Sequence, residues 1–307
     1  MPPSNQINIV RLDGWVCPPP IFSPSFEHNY VTYDRTEPTT ESIASRLKNM
    51  DVAITTRVPI TAELLRRPES QKLKLVAVLA IGTDMVDLKA CRERGVEVRN
   101  VPAASVEAVA EHALGLFFAL RRGIVRMHNI MIEGTEWVDK GNLTSYFGGL
   151  PPTCKEEVVG IIGVGELANL TRALGMTVHL SEQKSLTSIR LDRLPFTKIL
   201  ETCTVIFLTL PLTPTTINLI STEELNLMRK DALLINVARG GIMDEEAVVK
   251  ALKEGKIRGV ASDVFLEEPA SFENNILVKT AREDGGRGRF EKKVSSESTC
   301  CVSMILL

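Results

Sequence analysis

Short runs rich in Val and Ile alternate along this chain with stretches whose apolar residues recur at helical spacing, and no other feature narrows the possible folds as far. In the first third, residues 7–12, 51–55, 74–80 and 96–100 read as strands. Between them, 40–50, 61–67 and 86–94 read as helices, the last stopped by Gly95. A second block repeats the pattern, with strands at 157–162, 176–181, 203–210, 232–237 and 257–264 and a helix at 244–253 that ends near Gly255. Alternation of this kind gives parallel sheets, because each return crossover needs a long connection and a helix fills it. Right-handed crossovers then wind helices onto both faces. The expected fold class is α/β, with two doubly wound parallel-sheet domains.

Pro102 breaks the chain between the blocks, and Ser105 is placed to cap a long helix running to residue 122. Its expected apolar stripe is Val106, Val109, Ala113, Leu116 and Leu120. A loop is expected over 133–152. From Ala281 the chain is charged and glycine-rich with no helical stripe, so 281–307 reads as an unstructured tail. The expected units are therefore 1–104, 105–280 and this tail. A length of 307 residues suits two cores. A formal net charge of −2 gives no reason to expect nucleic acid or an anionic membrane as partner. The longest apolar stretch, 113–120, is far too short to span a bilayer. No basic region followed by an apolar core opens the chain, and Cys17, Cys91, Cys154, Cys203, Cys300 and Cys301 form neither a disulfide framework nor a metal spacing. A reduced cytoplasmic protein without a metal is expected.

The second block opens with Gly163-Val164-Gly165-Glu166-Leu167-Ala168, a strand running through Gly-x-Gly-x-x-Ala into a helix. Such glycines allow a tight turn and let backbone N–H groups approach a pyrophosphate at the helix start. The pattern alone is weak; the strand before it, the helix after it and an acidic residue, Glu182, ending the next strand strengthen it. A carboxylate there accepts from the adenine ribose hydroxyls and repels a 2′-phosphate, which favours NAD over NADP. The alternative is that Glu182 is a solvated charge at a strand end. Only nine residues separate Gly165 from Gly175, so the intervening helix is short.

Further motifs go beyond a fold. They are Asn236-Val237-Ala238-Arg239-Gly240-Gly241, Asp263-Val264-Phe265-Leu266-Glu267-Glu268-Pro269, Leu208-Thr209-Leu210-Pro211-Leu212-Thr213-Pro214, and Val101-Pro102 with Ala108-Val109-Ala110-Glu111-His112. Together they resemble the D-isomer-specific 2-hydroxyacid dehydrogenases. Ala80-Ile81-Gly82-Thr83-Asp84-Met85-Val86-Asp87 and Arg57-Val58-Pro59-Ile60-Thr61 are most similar to the glycerate dehydrogenase (hydroxypyruvate reductase) branch, and the resemblance spans about residues 50–280. It implies a flavodoxin-like substrate domain, a Rossmann NAD-binding domain, a homodimer, and hydride transfer between NAD(H) and a small 2-hydroxy or 2-keto acid.

The resemblance also assigns roles. Arg239 would hold the substrate carboxylate and polarise its carbonyl, a task suited to a permanently charged bidentate donor. Glu268 would orient a catalytic histidine and raise its pKa. Asp263 would accept from the nicotinamide carboxamide, and Gly163, Gly165, Glu166, Leu167, Glu182, Leu210, Pro211, Val237, Ala238 and Arg239 would line the cofactor. Backbone N–H groups of Ile81, Gly82 and Thr83 would bind the substrate carboxylate. Without the resemblance, Arg239 reads as a surface ion pair and Asp263 and Glu268 as cap or loop residues.

One part of the pattern is missing. The family's Pro-His pair, which supplies the general acid, should follow Glu268 by a couple of dozen residues, yet the histidines are His28, His112, His128 and His179. The helix that returns to complete the first domain is also not evident after residue 280. Two readings therefore stand: an oxidoreductase of this family, or a catalytically impaired NAD-binding paralogue or isoform with a binding or regulatory role.

Overall fold

The structure, a computed structural model, describes residues 6–22, 26–102, 105–142, 150–163, 165–186 and 188–283. The chain divides into two compact units, Met1–Ser105 and Val106–Leu307.

The first unit is built on β1 (Ile7–Arg11), β2 (His28–Thr32), β3 (Val52–Thr55), β4 (Leu75–Val78) and β5 (Glu97–Asn100), all parallel, in the order β2-β1-β3-β4-β5. Helices α1 (Thr40–Leu47), α2 (Ala62–Arg66) and α3 (Leu88–Glu93) begin where Thr39, Thr61 and Asp87 accept from the N–H groups of Ser42, Leu64 and Ala90. Each helical crossover moves the chain the same way across the sheet, so right-handedness sets all three helices on one face. Accordingly Ile43, Leu47, Leu64, Leu65 and Cys91 share one core with Val10, Ala53, Val76 and Val78. On the opposite face Val52, Leu75 and Ala77 are half-buried, and among the described residues no helix of this unit joins them in a core. Ile9 and Ile54 on that same face are buried, and the parallel-sheet α/β architecture of this unit is as expected. The strand β2 is additional to those expected.

The second unit has six parallel strands, in the order β11-β10-β9-β6-β7-β8. These are β6 (Val158–Gly163), β7 (Thr177–Ser181), β8 (Arg193–Leu194), β9 (Val205–Thr209), β10 (Leu233–Asn236) and β11 (Gly259–Ser262). Its helices are α4 (Val106–Arg121), α5 (Ile124–Glu133), α6 (Glu136–Lys140), α7 (Leu167–Ala173), α8 (Phe196–Thr202), α9 (Thr222–Leu227), α10 (Glu245–Lys253) and α11 (Ile276–Glu283). Alternate residues of β9 face opposite ways, as a period of two requires. Val205 and Phe207 pack with α4 and α7, while Ile206 and Leu208 pack with α8, α9 and α10. This sheet is doubly wound, as expected.

Several boundaries differ from the sequence expectation. The apolar face of α4 is Ala110, Ala113, Leu116, Phe117 and Leu120; Val106 is half-buried and Val109 exposed, so the stripe turns away from them. Helix α6 occupies part of the expected loop, and 143–149 lie outside the described residues. Helix α11 runs to Glu283, three residues into the expected tail, because Leu277 and Val278 bury one face of it. The rest of the tail, 284–307, is outside the described residues. Among the described residues no helix is long and apolar enough to cross a membrane, and no group of His, Cys, Asp and Glu could hold a metal.

Candidate cofactor and catalytic site

The order of the second sheet reverses at β6, whose neighbours β7 and β9 lead the chain in opposite directions. Beyond the carboxyl ends of such strands an open α/β sheet leaves a crevice. Gly163 ends β6 there with φ 135°, and a Cβ on it would lie 2.3 Å from the Thr209 carbonyl oxygen. Only glycine lets the ends of β6 and β9 approach so closely. Gly165 follows with φ 153°, and α7 starts directly after Glu166. The Leu167 side chain is in the core, so only its backbone faces this turn, and the half-buried Glu166 accepts from Asn169 Nδ2.

A cavity of about 710 Å³ opens beside this turn, bounded by Gly163, Glu182, Arg190, Thr209, Leu210 and Pro211 among others. That volume suits a small-molecule site. Thr209 Oγ1 is buried without a hydrogen-bond partner, so the wall presents an unsatisfied polar atom. Glu182, directly after β7, is buried, with its carboxylate ion-paired to Arg190 at 2.6 Å. Hydrogen bonds from the Arg190 side chain, then from Gln183 N, hold its pKa down to about 2, so it stays charged at ordinary assay pH. The alternative of a solvated charge at a strand end does not hold, because Glu182 is buried. Arg190 lies eight residues downstream, across a loop with no periodic signal, so no local pattern points to it.

A second group of side chains gathers at the ends of β10 and β11. Asn236 closes β10 by accepting from Ala238 N at 3.1 Å and donating to the Arg239 carbonyl at 3.0 Å, which folds the Val237–Arg239 turn. Val237 and Ala238 are buried, and Arg239 Nη1 donates to the Ala238 carbonyl. A Cβ on Gly240 would sit 1.7 Å from the Phe265 carbonyl oxygen, so this turn lies against the loop after β11. That loop carries Asp263 and Glu268, and Glu268 accepts from Phe265 N at 3.1 Å. Asp263 Oδ2 is 3.3 Å from His112 Nε2 on α4, whereas Asp263 Oδ1 is buried without a partner. Burial pushes the Asp263 carboxyl above its ordinary value and Glu268 adds to this, with His112 and Arg239 opposing. His112 was legible in the sequence only as part of a helix motif.

Thus Arg239, Asp263, Glu268 and His112 form one neighbourhood of the second unit. Ile81, Gly82 and Thr83 belong to the first unit, in the loop after β4, where the Ile81 carbonyl accepts from Asn100 Nδ2 and the Thr83 carbonyl from Val86 N.

The sequence profile described as "D-isomer specific 2-hydroxyacid dehydrogenase, NAD binding domain" matches residues 114–282. The chain is 36% identical over 278 residues to a putative 2-hydroxyacid dehydrogenase of Haemophilus influenzae, covering 89% of this chain and 86% of that protein. This chain belongs to the D-isomer-specific 2-hydroxyacid dehydrogenase family. A glycerate dehydrogenase of Methylorubrum extorquens is 39% identical over 260 residues, covering 82% and 79% of the two chains. In fold, this dehydrogenase chain is similar to a solved NAD-dependent formate dehydrogenase of Staphylococcus aureus in complex with NAD, with a TM-score of 0.72 at 23% identity, covering 98% and 88%. NAD is the cofactor of this 2-hydroxyacid dehydrogenase chain, and the glycine cradle and the unsatisfied Thr209 hydroxyl fit a dinucleotide.

Proposed function

We propose that this chain binds NAD(H) at the crevice of its second unit and acts on a small 2-keto or 2-hydroxy acid of the hydroxypyruvate, glycerate or glyoxylate type. In this reading residues 1–104 form the substrate domain and 105–280 the cofactor domain. The observation that carries it is the buried, unpartnered Oδ1 of Asp263, in a loop packed against the Arg239 turn. A buried acceptor without a donor is costly unless a ligand supplies one; here a carboxamide N–H would. When bound, NADH supplies the hydride. Arg239 holds the substrate carboxylate and draws charge onto the carbonyl oxygen, and backbone N–H groups of Ile81, Gly82 and Thr83 are the donors that the first unit offers to a carboxylate. Gly163, Gly165, Glu166 and Leu167 present backbone to the pyrophosphate; Glu182, Leu210, Pro211, Val237 and Ala238 wall the nucleotide.

Titration of protein fluorescence with NADH tests the cofactor part, and failure to bind at millimolar NADH would remove it. For Arg239→Met, residual NADH oxidation should need about 10- to 100-fold more hydroxypyruvate, the worth of a charged hydrogen-bonded contact. NADH affinity should stay within about threefold in the same variant. An unchanged hydroxypyruvate dependence would take the substrate role from Arg239.

The lack of any histidine after His179 favours a second reading, an NAD-binding paralogue with impaired turnover. In either reading the chain works in the cytoplasm as a homodimer. Ile124, Met131 and Ile132 on α5 are 55%, 48% and 66% exposed, and spacings of seven and eight residues set them on one side of the helix. An apolar stripe of this kind suits a self-complementary contact. Ile132→Glu should convert a dimer to a monomer in sedimentation velocity; a wild-type monomer would refute the proposal.

A further inference from the structure

A glutamate carboxylate offers about four lone-pair positions, two on each oxygen. In Glu182 four donors occupy them. Oε1 accepts from Gln183 N at 2.9 Å and Arg190 Nη2 at 2.6 Å, and Oε2 accepts from Arg190 Nε at 2.8 Å and Arg190 N at 3.3 Å. The Glu182 side chain has no exposed surface, whereas that of Arg190 is 55% exposed. A nucleotide entering the cavity at the end of β7 therefore meets a guanidinium rather than a carboxylate.

Two consequences follow for the adenine ribose. A 2′,3′-diol donates hydrogen bonds, and it finds the acceptor it needs already satisfied by Arg190. A 2′-phosphate accepts hydrogen bonds, and two of the five Arg190 N–H groups are engaged with Glu182 through Nε and Nη2, leaving others to donate. The repulsion expected from Glu182 is compensated by the bidentate pair. Further cations border the same cavity: Arg193, which donates from Nη1 to the Ser181 carbonyl at 2.6 Å, and Lys184, ion-paired to Glu224 at 2.7 Å.

We infer that Arg190 determines cofactor choice in this chain: by saturating Glu182 it admits a dinucleotide with a 2′-phosphate, NADP(H), alongside NAD(H). The inference rests on the cofactor reading given above. It replaces the strict preference for NAD that Glu182 alone would impose with near-equal use of both nucleotides. Arg190 is a specificity-determining residue here, and Glu182 acts through it.

The test is a matched fluorescence titration of the whole chain with NADH and with NADPH, with AMP and adenosine 2′,5′-bisphosphate as competitors that isolate the adenosine end. In the wild type the two Kd values should lie within about tenfold of each other. Arg190→Gln bares the carboxylate, and the ratio of Kd for NADPH to Kd for NADH should rise at least tenfold. Glu182→Gln releases the guanidinium, and the ratio should move at least tenfold the other way; this variant serves if Arg190→Gln does not fold. A smaller shift in the folded variants, or a wild type that binds NADPH more than tenfold more weakly than NADH, would overturn the inference. NADH binding with an unmoved ratio sinks this inference alone, whereas binding of neither nucleotide sinks the cofactor reading with it.

Discussion

Reduction of hydroxypyruvate or glyoxylate by this chain is expected to run at least about a hundredfold slower than by a relative carrying the Pro-His pair, since a general acid contributes on the order of 10²–10⁴ in rate. Glu268, the carboxylate that would hold that histidine, accepts instead from Phe265 N within its own loop. The stretch where the sequence approaches the missing pair is folded into α11, with Asn275 Oδ1 accepting from Leu277 N and Val278 N. In the role proposed for it Arg239 would still polarise a carbonyl, so slow turnover with water as proton source is expected rather than none. Steady-state NADH oxidation checks this, with the native chain beside a chimaera in which everything after Thr280 comes from such a relative. The chimaera should recover most of the rate. Full activity in the native chain would mean that another group donates the proton; His112, 3.3 Å from Asp263, is then the first to replace, as His112→Asn.

Removal of Arg121 should destabilise the second unit by about 3–5 kcal/mol, the usual consequence of leaving one member of a buried ion pair alone. Arg121 ends α4, Glu157 precedes β6, and their side chains are 3% and 0% exposed. Nε lies 2.6 Å from Oε1, Nη2 donates to Oε2 at 2.9 Å, and Thr204 Oγ1 donates to the same Oε2. Burial draws the guanidinium below its ordinary pKa while Glu157 opposes the shift, so the two charges depend on each other. Arg121→Met leaves a carboxylate buried with one hydroxyl donor. Urea unfolding of Arg121→Met, of Glu157→Leu and of the double variant should show two large losses and substantial recovery in the third. A loss below about 1 kcal/mol in the single variants would show that water reaches the site.

The strands most legible in the sequence are those buried on both faces, where apolar residues crowd together, as in β6, β9 and β10. Of the edge strands, β5 and β11 were legible, whereas β2 and β8 escaped. β2 reads His-Asn-Tyr-Val-Thr and β8 has two residues, so neither carries an apolar run; both exist because a neighbouring strand offers a ladder. The glycine cradle and the Arg239 and Asp263 loops were legible because each lies within a few consecutive residues. Pairings across longer separations were not: Glu182 with Arg190, Arg121 with Glu157 and His112 with Asp263 join residues that a local pattern cannot relate. These distant partners decide the charge each carboxylate shows a ligand, which is why the sequence located the cofactor crevice more surely than its selectivity.

The strand order of the second sheet also sets a schedule for its synthesis. β6 is made first but ends at the middle of the sheet, and β7 and β8 extend it to one side only. Its other edge waits for β9, whose pairing spans 46 residues at the Val158–Thr204 contact. Until that segment leaves the ribosome, this apolar strand has one row of peptide groups unpaired. Such an edge is a template for association with other nascent chains. β10 and β11 then add outward in order, each onto a finished neighbour. The vulnerable interval in the life of this molecule therefore falls between the completion of β8 and the arrival of β9, and chaperone binding should concentrate there.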